Sequence, residues 1–194
     1  MKVGIVKYNA GNIESVKNAL DRLGVESVVT DVAEILQTVD KVIFPGVGEA
    51  STAMNYLRQR RLDKVIKSLT QPVLGICLGM QLLCEFSSEN DTDCLKIFPY
   101  KVNKFVSDNL KVPQIGWNTV SNLKGELFTN IAENSHVYFV HSYYVESGEK
   151  TSAICDYGEK FSASIQQNNF YATQFHPEKS GKIGERILEN FLKI

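Results

Sequence analysis

The chain has 194 residues, with 43% hydrophobic and 22% charged side chains and a formal net charge of −1. This composition is ordinary for a globular protein large enough to build a substantial core. The one basic cluster, at residues 58–61, is expected to be the solvated end of a helix, so nucleic-acid binding is not expected. No apolar run approaches the ~18 residues that cross a membrane.

The cysteines and histidines also restrict the class of protein. The sequence has 4 cysteines and 3 histidines, widely spaced and without a Cys-x-x-Cys pair. This spacing predicts neither a zinc site nor a disulfide framework, and no cofactor is expected. We therefore expect a single domain over residues 1–194, in the reducing cytoplasm.

The first part of the chain alternates strands with helices. Strands are predicted at 2–7, 25–30 and 41–44, and helices at 13–23, 50–59 and 62–69. Such alternation is typical of a mainly parallel open sheet with helices on both faces. In these folds the site lies beyond the carboxyl ends of the strands, where both residues 45–48 and Cys77 are expected.

Cys77 lies where an apolar strand runs directly into a helix, within residues 71–83. Gly75 and Gly79 flank it in the Gly-x-nucleophile-x-Gly pattern of a nucleophile elbow, with sulfur in place of a hydroxyl. Glycines fit because Cβ atoms would collide with backbone in so tight a turn. The first turn of a helix favours a thiolate, the form that attacks an amide carbonyl. By itself, the motif leaves open that Cys77 is an inert core residue.

The second half is expected to be mostly β-structure before a last helix. Strands and hairpins are predicted at 99–105, 113–120, 137–145, 152–157 and 161–173. The last helix has its apolar side at Ile183, Ile187, Leu188, Phe191 and Leu192, with Ser180 as a candidate N-cap. The predicted fold class is therefore α/β: a mainly parallel open sheet flanked by helices, with an additional antiparallel β portion in the second half.

A His-Pro-Glu sequence at residues 176–178 supplies a candidate base. Pro177 keeps the preceding residue out of the α region, so His176 should be extended. Side chains at i and i+2 of an extended chain project to the same side, so the Glu178 carboxylate can orient the imidazole. The tripeptide alone could be a solvated turn. Together with Cys77 it predicts a nucleophile, a base and an orienting carboxylate.

With both motifs in view, the chain resembles the class I (triad) glutamine amidotransferases over essentially its whole length. Several segments resemble one branch of that family, the glutaminase subunits of imidazole glycerol phosphate synthase. They are residues 8–12, 44–48, 113–118 and 138–144, and Lys179 after the His-Pro-Glu motif.

The resemblance implies a chemical role for each residue near Cys77. Cys77 would attack the side-chain amide of glutamine, release ammonia and leave a γ-glutamyl thioester, with His176 as base and Glu178 as its orienter. The oxyanion would be held by the amide of Leu78 and by the Gly46-Val47 peptide, which could flip when a partner binds.

The resemblance also implies substrate contacts at Gln81, His141, Ser142 and Tyr143. From the residues alone, Gln81 could instead be a polar residue on an exposed helix face, and His141 a structural histidine. Residues 93–98 depart from a Gly-Leu-Gly-like stretch common in the family. This leaves open which residue of the acidic loop, the polar segment at residues 87–93, if any, touches the substrate amino group.

The partner implied by the resemblance is a cyclase subunit with a (β/α)₈ barrel, in a heterodimer that uses the ammonia to make imidazole glycerol phosphate and AICAR in histidine biosynthesis. Interface or gating positions carried over from the family are Asn12, Trp117, Asn118, Tyr138 and Lys179. From the residues alone, Trp117 and Tyr138 could be ordinary core aromatics.

Other functions stay open at this point. The chain could be the glutaminase subunit of another synthase, in an anthranilate, aminodeoxychorismate, pyridoxal phosphate or surface-sugar pathway. It could also be a stand-alone cysteine peptidase or γ-glutamyl hydrolase. A non-catalytic binding module fits least, because the nucleophile, base and orienter are all present.

Overall fold

The computed structural model describes residues 1–8, 11–106 and 110–194. The first half contains β1 (Lys2–Val6), α1 (Ile13–Arg22), β2 (Glu26–Thr30), α2 (Ala33–Thr38), β3 (Lys41–Phe44), α3 (Ala50–Gln59), α4 (Leu62–Ser68), β4 (Val73–Ile76) and α5 (Leu78–Leu83). The predicted elements of this half are confirmed within a residue or two. Helix α2 is absent from the predicted elements, because it is short and buries only Leu36.

The second half is mainly β-structure, as expected. It contains β5 (Phe86–Ser87), β6 (Thr92–Asp93), β7 (Lys101–Lys104), β8 (Gln114–Val120), β9 (Ser135–His141), β10 (Tyr143–Val145), β11 (Thr151–Asp156), β12 (Lys160–Gln167), β13 (Phe170–Thr173) and α6 (Gly181–Lys193). The β-structure predicted over 137–145 is two strands, since the chain breaks at Ser142 and β10 joins a different sheet from β9. The run 161–173 is a hairpin that turns at Asn168, which has φ 52°.

In the described part of the chain, 11 strands form one sheet. The order is β2-β1-β3-β4-β13-β12-β10-β7-β5-β6, and β11 pairs with β12. The strands from β2 to β13 are parallel, and β12 then begins an antiparallel part. Strands β8 and β9 form a separate antiparallel sheet of 2 strands. The predicted fold class is confirmed.

The parallel strands are buried on both faces because helices cover each side. Every residue of β3 and β4 is buried. Along β3, Val42 and Phe44 belong to the cluster under α3 and α4, whereas Ile43 belongs to the cluster under α1 and α6. In the residues that the structure covers, no helix is long and apolar enough to cross a membrane.

The strand register brings three chain segments together at one edge of the sheet. Phe44 at the end of β3 lies opposite Gly75, and Ile76 at the end of β4 lies opposite Thr173 at the end of β13. These strands are parallel, so their carboxyl ends meet. The residues that follow them, beginning at Pro45, Cys77 and Gln174, therefore share one site.

Candidate active site

Cys77 has the strained backbone of a nucleophile elbow. Its φ is 53° and its ψ is −107°, a conformation that a non-glycine residue keeps only when its surroundings hold it. Its amide nitrogen donates to the Thr173 carbonyl at 2.7 Å. A Cβ on Gly79 would collide with the carbonyl oxygen of Phe44, so this position requires glycine. The local geometry therefore matches the elbow predicted from the sequence.

His176 and Glu178 form a buried pair beside the elbow. Nδ1 of His176 lies 2.7 Å from Oε1 of Glu178, and both side chains are almost completely buried. His176 is extended, with φ −99° and ψ 98°, as its position before proline predicts. Burial disfavours the imidazolium ion, but the charges of Cys77 and Glu178 outweigh it and raise the pKa of His176 to about 10.

The second ring nitrogen of His176 is available for proton transfer. Nε2 of His176 is buried and has no hydrogen-bond partner among the described residues. A buried nitrogen without a partner is costly unless a substrate or a catalytic group uses it. Asn12 holds the same oxygen of Glu178 that faces His176, because its Nδ2 donates to Oε1 at 2.5 Å. Asn12, predicted at an interface, therefore also contacts the triad carboxylate.

Leu78 and the Gly46-Val47 peptide, the groups expected to form the oxyanion hole, lie next to each other. Their N–H groups, however, point in different directions. The amide nitrogen of Leu78 donates to the carbonyl oxygen of Gly46 at 3.2 Å. Because a trans peptide places C=O and N–H on opposite sides, the Val47 N–H points away from Leu78. Tyr8 closes this segment on one side, since a Cβ on Gly46 would collide with the Tyr8 hydroxyl. The Val47 carbonyl accepts from the Gly11 amide at 3.1 Å.

A cavity of about 300 Å³ opens beside Cys77. Its lining includes Val47, Leu78, Gln81, Glu89 and residues 140–143. A site of this size suits a small molecule, with the sulfur and a few polar groups at its wall. The predicted substrate residues Gln81, His141, Ser142 and Tyr143 thus do surround one cavity.

Gln81 and His141 are both buried. The alternative of an exposed polar residue is wrong for Gln81, whose Nε2 donates to the Tyr143 carbonyl at 2.9 Å and to Oε1 of Gln174 at 3.1 Å. The ring of His141 lies 2.7 Å from the Tyr143 carbonyl and 2.9 Å from Oε1 of Gln114. Burial lowers the pKa of His141 to about 4, so the ring is neutral at pH 7. These contacts give His141 a structural role in shaping the cavity wall.

Two residues at the site are missing from the sequence prediction. Glu89 of the acidic loop lines the cavity, and its Oε2 accepts from the Ala50 amide at 2.8 Å at the start of α3. Burial raises the pKa of the Glu89 carboxyl. Gln174 is completely buried, and its Nε2 lies 3.6 Å from Sγ of Cys77. Its position two residues before His176 is the one sequence signal that could have placed it here.

The predicted interface residues differ in exposure. Trp117 is 56% exposed, so the core-aromatic alternative is wrong for it, and its neighbour on the same face, Ile115, is 63% exposed. Tyr138 is half-buried and packs edge-on against Trp117, with ring centroids 6.1 Å apart. Lys179 is exposed.

Asn118 is the remaining position that was predicted at the interface. Nδ2 of Asn118 donates to the Asp156 carbonyl at 2.9 Å, which ties this residue to β11. Residues 9 and 10 of the Tyr-Asn-Ala-Gly-Asn segment lie outside the described residues.

Ser180 occupies the N-cap position of α6, but its hydroxyl donates to the His176 carbonyl at 2.6 Å instead of capping the helix.

The sheet and the site at its carboxyl edge define a class of protein. The model of the family "Glutamine amidotransferase class-I" matches residues 5–194, and the chain belongs to this family. Among curated proteins, it is 58% identical to "Imidazole glycerol phosphate synthase subunit HisH" of Bacteroides fragilis (strain YCH46), over 100% of both chains. It is 50% identical to the protein of the same name in Pasteurella multocida (strain Pm70), over 98% of this chain and 97% of that one.

Solved structures support the fold independently. A glutamine amidotransferase from Thermotoga maritima superposes with a TM-score of 0.67 at 16% identity, over 100% of this chain and 83% of the other. A second solved glutamine amidotransferase superposes with a TM-score of 0.76 at 21% identity, over 98% of this chain and 97% of the other. At these identities the comparisons show the shared fold alone.

Proposed function

We propose that this chain is the glutaminase subunit of an imidazole glycerol phosphate synthase. It would hydrolyse glutamine to glutamate and ammonia and pass the ammonia to a cyclase subunit that makes imidazole glycerol phosphate and AICAR in histidine biosynthesis. The observation that carries the proposal is the buried His176–Glu178 pair beside an elbow cysteine, in a chain 58% identical over its full length to a HisH subunit.

The chemistry would proceed in two steps at Cys77. His176 first takes the thiol proton on Nε2, the direction that its raised pKa favours, and the sulfur then attacks the side-chain amide carbon of glutamine. The same proton then goes to the leaving nitrogen, so ammonia departs and a γ-glutamyl thioester remains. His176 next removes a proton from water, which attacks the thioester and releases glutamate and the free thiol. Glu178 holds the ring in the orientation that both steps need.

The cavity would hold the amino-acid end of glutamine. Glu89 is the acidic side chain within its described lining, and its carboxylate would receive the substrate α-ammonium group. Gln81 would complete this end through its side-chain oxygen, because its Nε2 is already used by Tyr143 and Gln174. The backbone of residues 141–143 would form the opposite wall.

The oxyanion hole would be closed at rest and opened by the partner. The Leu78 amide is occupied by the Gly46 carbonyl, so it has no free N–H for a developing oxyanion. A flip of the Gly46-Val47 peptide would remove that carbonyl and turn the Val47 N–H inward. The bond from the Gly11 amide to the Val47 carbonyl connects the next peptide, Val47-Gly48, to the loop before α1, which would carry the signal from the interface. The same Gly46-Val47 orientation with and without partner, in NMR spectra or crystals, would refute the flip.

A (β/α)₈-barrel cyclase would dock on the exposed face of the two-stranded sheet. The proposal is supported by the exposed side chains of Trp117 and Lys179, and by Asn12, which contacts Glu178. A heterodimer that encloses this face would keep ammonia from solvent. We also propose that the chain is one domain and acts in the cytoplasm, where its free cysteines would stay reduced.

The decisive experiment measures ammonia release from glutamine by the purified chain. It is run alone, then with a histidine-pathway cyclase, and then with that cyclase and its nucleotide ligand. We expect strong stimulation by the liganded cyclase, and Cys77→Ala should abolish it while leaving the circular dichroism spectrum unchanged. High activity without partner would indicate a stand-alone hydrolase. No activity with the cyclase would contradict the assignment to this synthase.

A further inference from the structure

Gln174 connects the wall of the glutamine cavity to the sulfur of Cys77. We propose that its side-chain amide stabilises the Cys77 thiolate, and that Gln81 acts as a positioning residue by fixing the orientation of that amide. The inference deepens the proposed function, since it rests on Cys77 being the nucleophile. Gln174 is completely buried, and its Nε2 and Oε1 each face one of these two residues.

The sulfur has two polar contacts of opposite character. As a thiol, Cys77 donates to the Val140 carbonyl at 3.7 Å and accepts from Nε2 of Gln174 at 3.6 Å. When the proton leaves, the Val140 carbonyl has nothing to accept, whereas the bond from Gln174 becomes charge-assisted and stronger. Of these two contacts, the one with Gln174 therefore favours the reactive form.

The orientation of the Gln174 amide depends on Gln81. The Gln174 oxygen accepts from Nε2 of Gln81, which leaves its NH₂ group facing the sulfur. Gln81 is held in turn because the same Nε2 donates to the Tyr143 carbonyl, and this carbonyl also lies 2.7 Å from the ring of His141. Without Gln81, the amide of Gln174 could turn and place its oxygen against the thiolate, where it would repel the negative charge. Because Gln81 also lines the cavity, a ligand there can act on the nucleophile through two side chains.

The first test is alkylation of Cys77 by iodoacetamide, followed by peptide mass spectrometry between pH 6 and 10. The thiolate sulfur forms the bond to carbon and iodide leaves, so the rate follows the thiolate population and needs neither glutamine nor a partner. We expect Gln174→Met to label Cys77 roughly five- to tenfold more slowly at pH 7, with the profile displaced to higher pH.

A second variant and a control make this test independent of folding defects. Gln174→Glu keeps the oxygen that accepts from Gln81 but has no donor for the sulfur, so it should slow labelling at least as much. Gln167→Met removes a comparable hydrogen bond, from Nε2 to the Ile97 carbonyl, away from Cys77, and should label like the wild type. Wild-type labelling in either folded Gln174 variant would overturn the role of Gln174.

The link through Gln81 is tested by a double-mutant cycle with the same readout. Gln81→Met should slow labelling, and it should add little in the Gln174→Met background, since its effect passes through Gln174. Additive effects would overturn the coupling. On the wild-type chain, the side-chain NH₂ signals of Gln174 in ¹H–¹⁵N spectra should shift as Cys77 titrates, and Cys77→Ala should abolish that shift. Signals that do not move would overturn the inference even if no Gln174 variant folds.

The two proposals fail in different ways. If labelling depends on Gln174 but no cyclase elicits glutaminase activity, the proposed function is wrong and the sulfur contact stands. If partner-dependent glutaminase activity is present but labelling ignores Gln174, the function stands and this inference is wrong.

Discussion

Two regions flank Cys77, and they differ in how ready they are for catalysis. The triad wall is formed by His176, Glu178 and Asn12. The side chains of His176 and Glu178 are buried, and hydrogen bonds already join Asn12 to Glu178 and Glu178 to His176. The oxyanion segment, residues 45–48 of the proposed oxyanion hole, turns the Gly46 carbonyl toward the Leu78 amide, where the proposed mechanism needs an N–H. Under that mechanism, the groups for proton transfer are already arranged in the isolated chain, whereas those for charge stabilisation are not. Control of the proposed activity would then lie on the oxyanion side.

The largest effect is expected from removing the charge of the triad wall. Glu178→Gln keeps a hydrogen-bonding side chain but loses the carboxylate that orients His176 and raises its pKa. We expect the partner-stimulated kcat for glutamine to fall by roughly 10²–10⁴, with little change in KM. Glu185→Gln, an exposed glutamate on α6, is the matched control. A kcat within about twofold of wild type would show that the triad wall does not need this charge.

A substitution in the oxyanion segment should act on stability as well as on rate. Gly46→Ala places a methyl group against the Tyr8 hydroxyl, so we expect the free energy of unfolding to fall by about 1–3 kcal/mol. The stimulation of activity by the cyclase should also fall, because the Gly46-Val47 peptide is crowded by the added methyl group and cannot flip. Urea denaturation and ammonia release measure the two effects. Adding Tyr8→Phe removes the clashing oxygen and should restore part of the stability. A fully stable, fully stimulated Gly46→Ala chain would contradict the tight packing of this segment.

The cavity wall makes a pH-dependent contribution through His141. The folded chain keeps this ring neutral down to about pH 4, whereas an unfolded chain takes up the proton near its ordinary value of 6.5. The neutral His141 ring therefore does not lower the free energy of unfolding above pH 6.5. As the pH falls toward 4, this free energy decreases by up to about 3 kcal/mol, because the unfolded chain takes up a proton that the folded chain does not.

Unfolding free energies measured from pH 7.5 to 4 test this sign. His141→Gln should flatten the decline between pH 6.5 and 4 relative to the wild type. An equal slope in the wild type and His141→Gln would mean that the ring is protonated in the folded state.

The smallest effect is expected where the triad wall meets the interface. Asn12→Ala removes the donor to Oε1 of Glu178, and we expect roughly a tenfold loss of kcat, since one charge-assisted hydrogen bond orients the carboxylate. Asn18→Ala, exposed on the same helix, serves as control. The loss should appear with and without the cyclase. If it appears only with the cyclase, Asn12 acts through docking and not through Glu178.

The sequence predicts those parts of the site that local patterns determine. The elbow at Cys77 and the extended His176 follow from neighbouring glycines and a proline, and both geometries are as predicted. The alternation of strands and helices predicts the parallel sheet, because hydrophobic periodicity is a local signal.

Other features depend on contacts between distant segments. The Gly46 carbonyl accepts from the Leu78 amide, and the Gly46 Cα lies against the Tyr8 hydroxyl, and both partners are far away in the chain. Glu89 reaches the site only through the tertiary fold, and its own sequence neighbourhood carries no chemical signature, whereas Gln174 is indicated only by its position two residues before His176. The exposure of Trp117 likewise follows from the separate two-stranded sheet, since a tryptophan in a predicted strand would otherwise be assigned to a core.

Trp117 also gives the protein a built-in optical probe. Trp117 is the single tryptophan in the sequence. Fluorescence excited at the red edge of the absorption band therefore reports on the exposed face of the two-stranded sheet alone. Burial of an indole by an arriving surface shifts its emission to the blue and shields it from quenchers in solution. A titration in a fluorimeter can therefore follow complex formation in unlabelled protein, on the same sample whose ammonia output is being recorded.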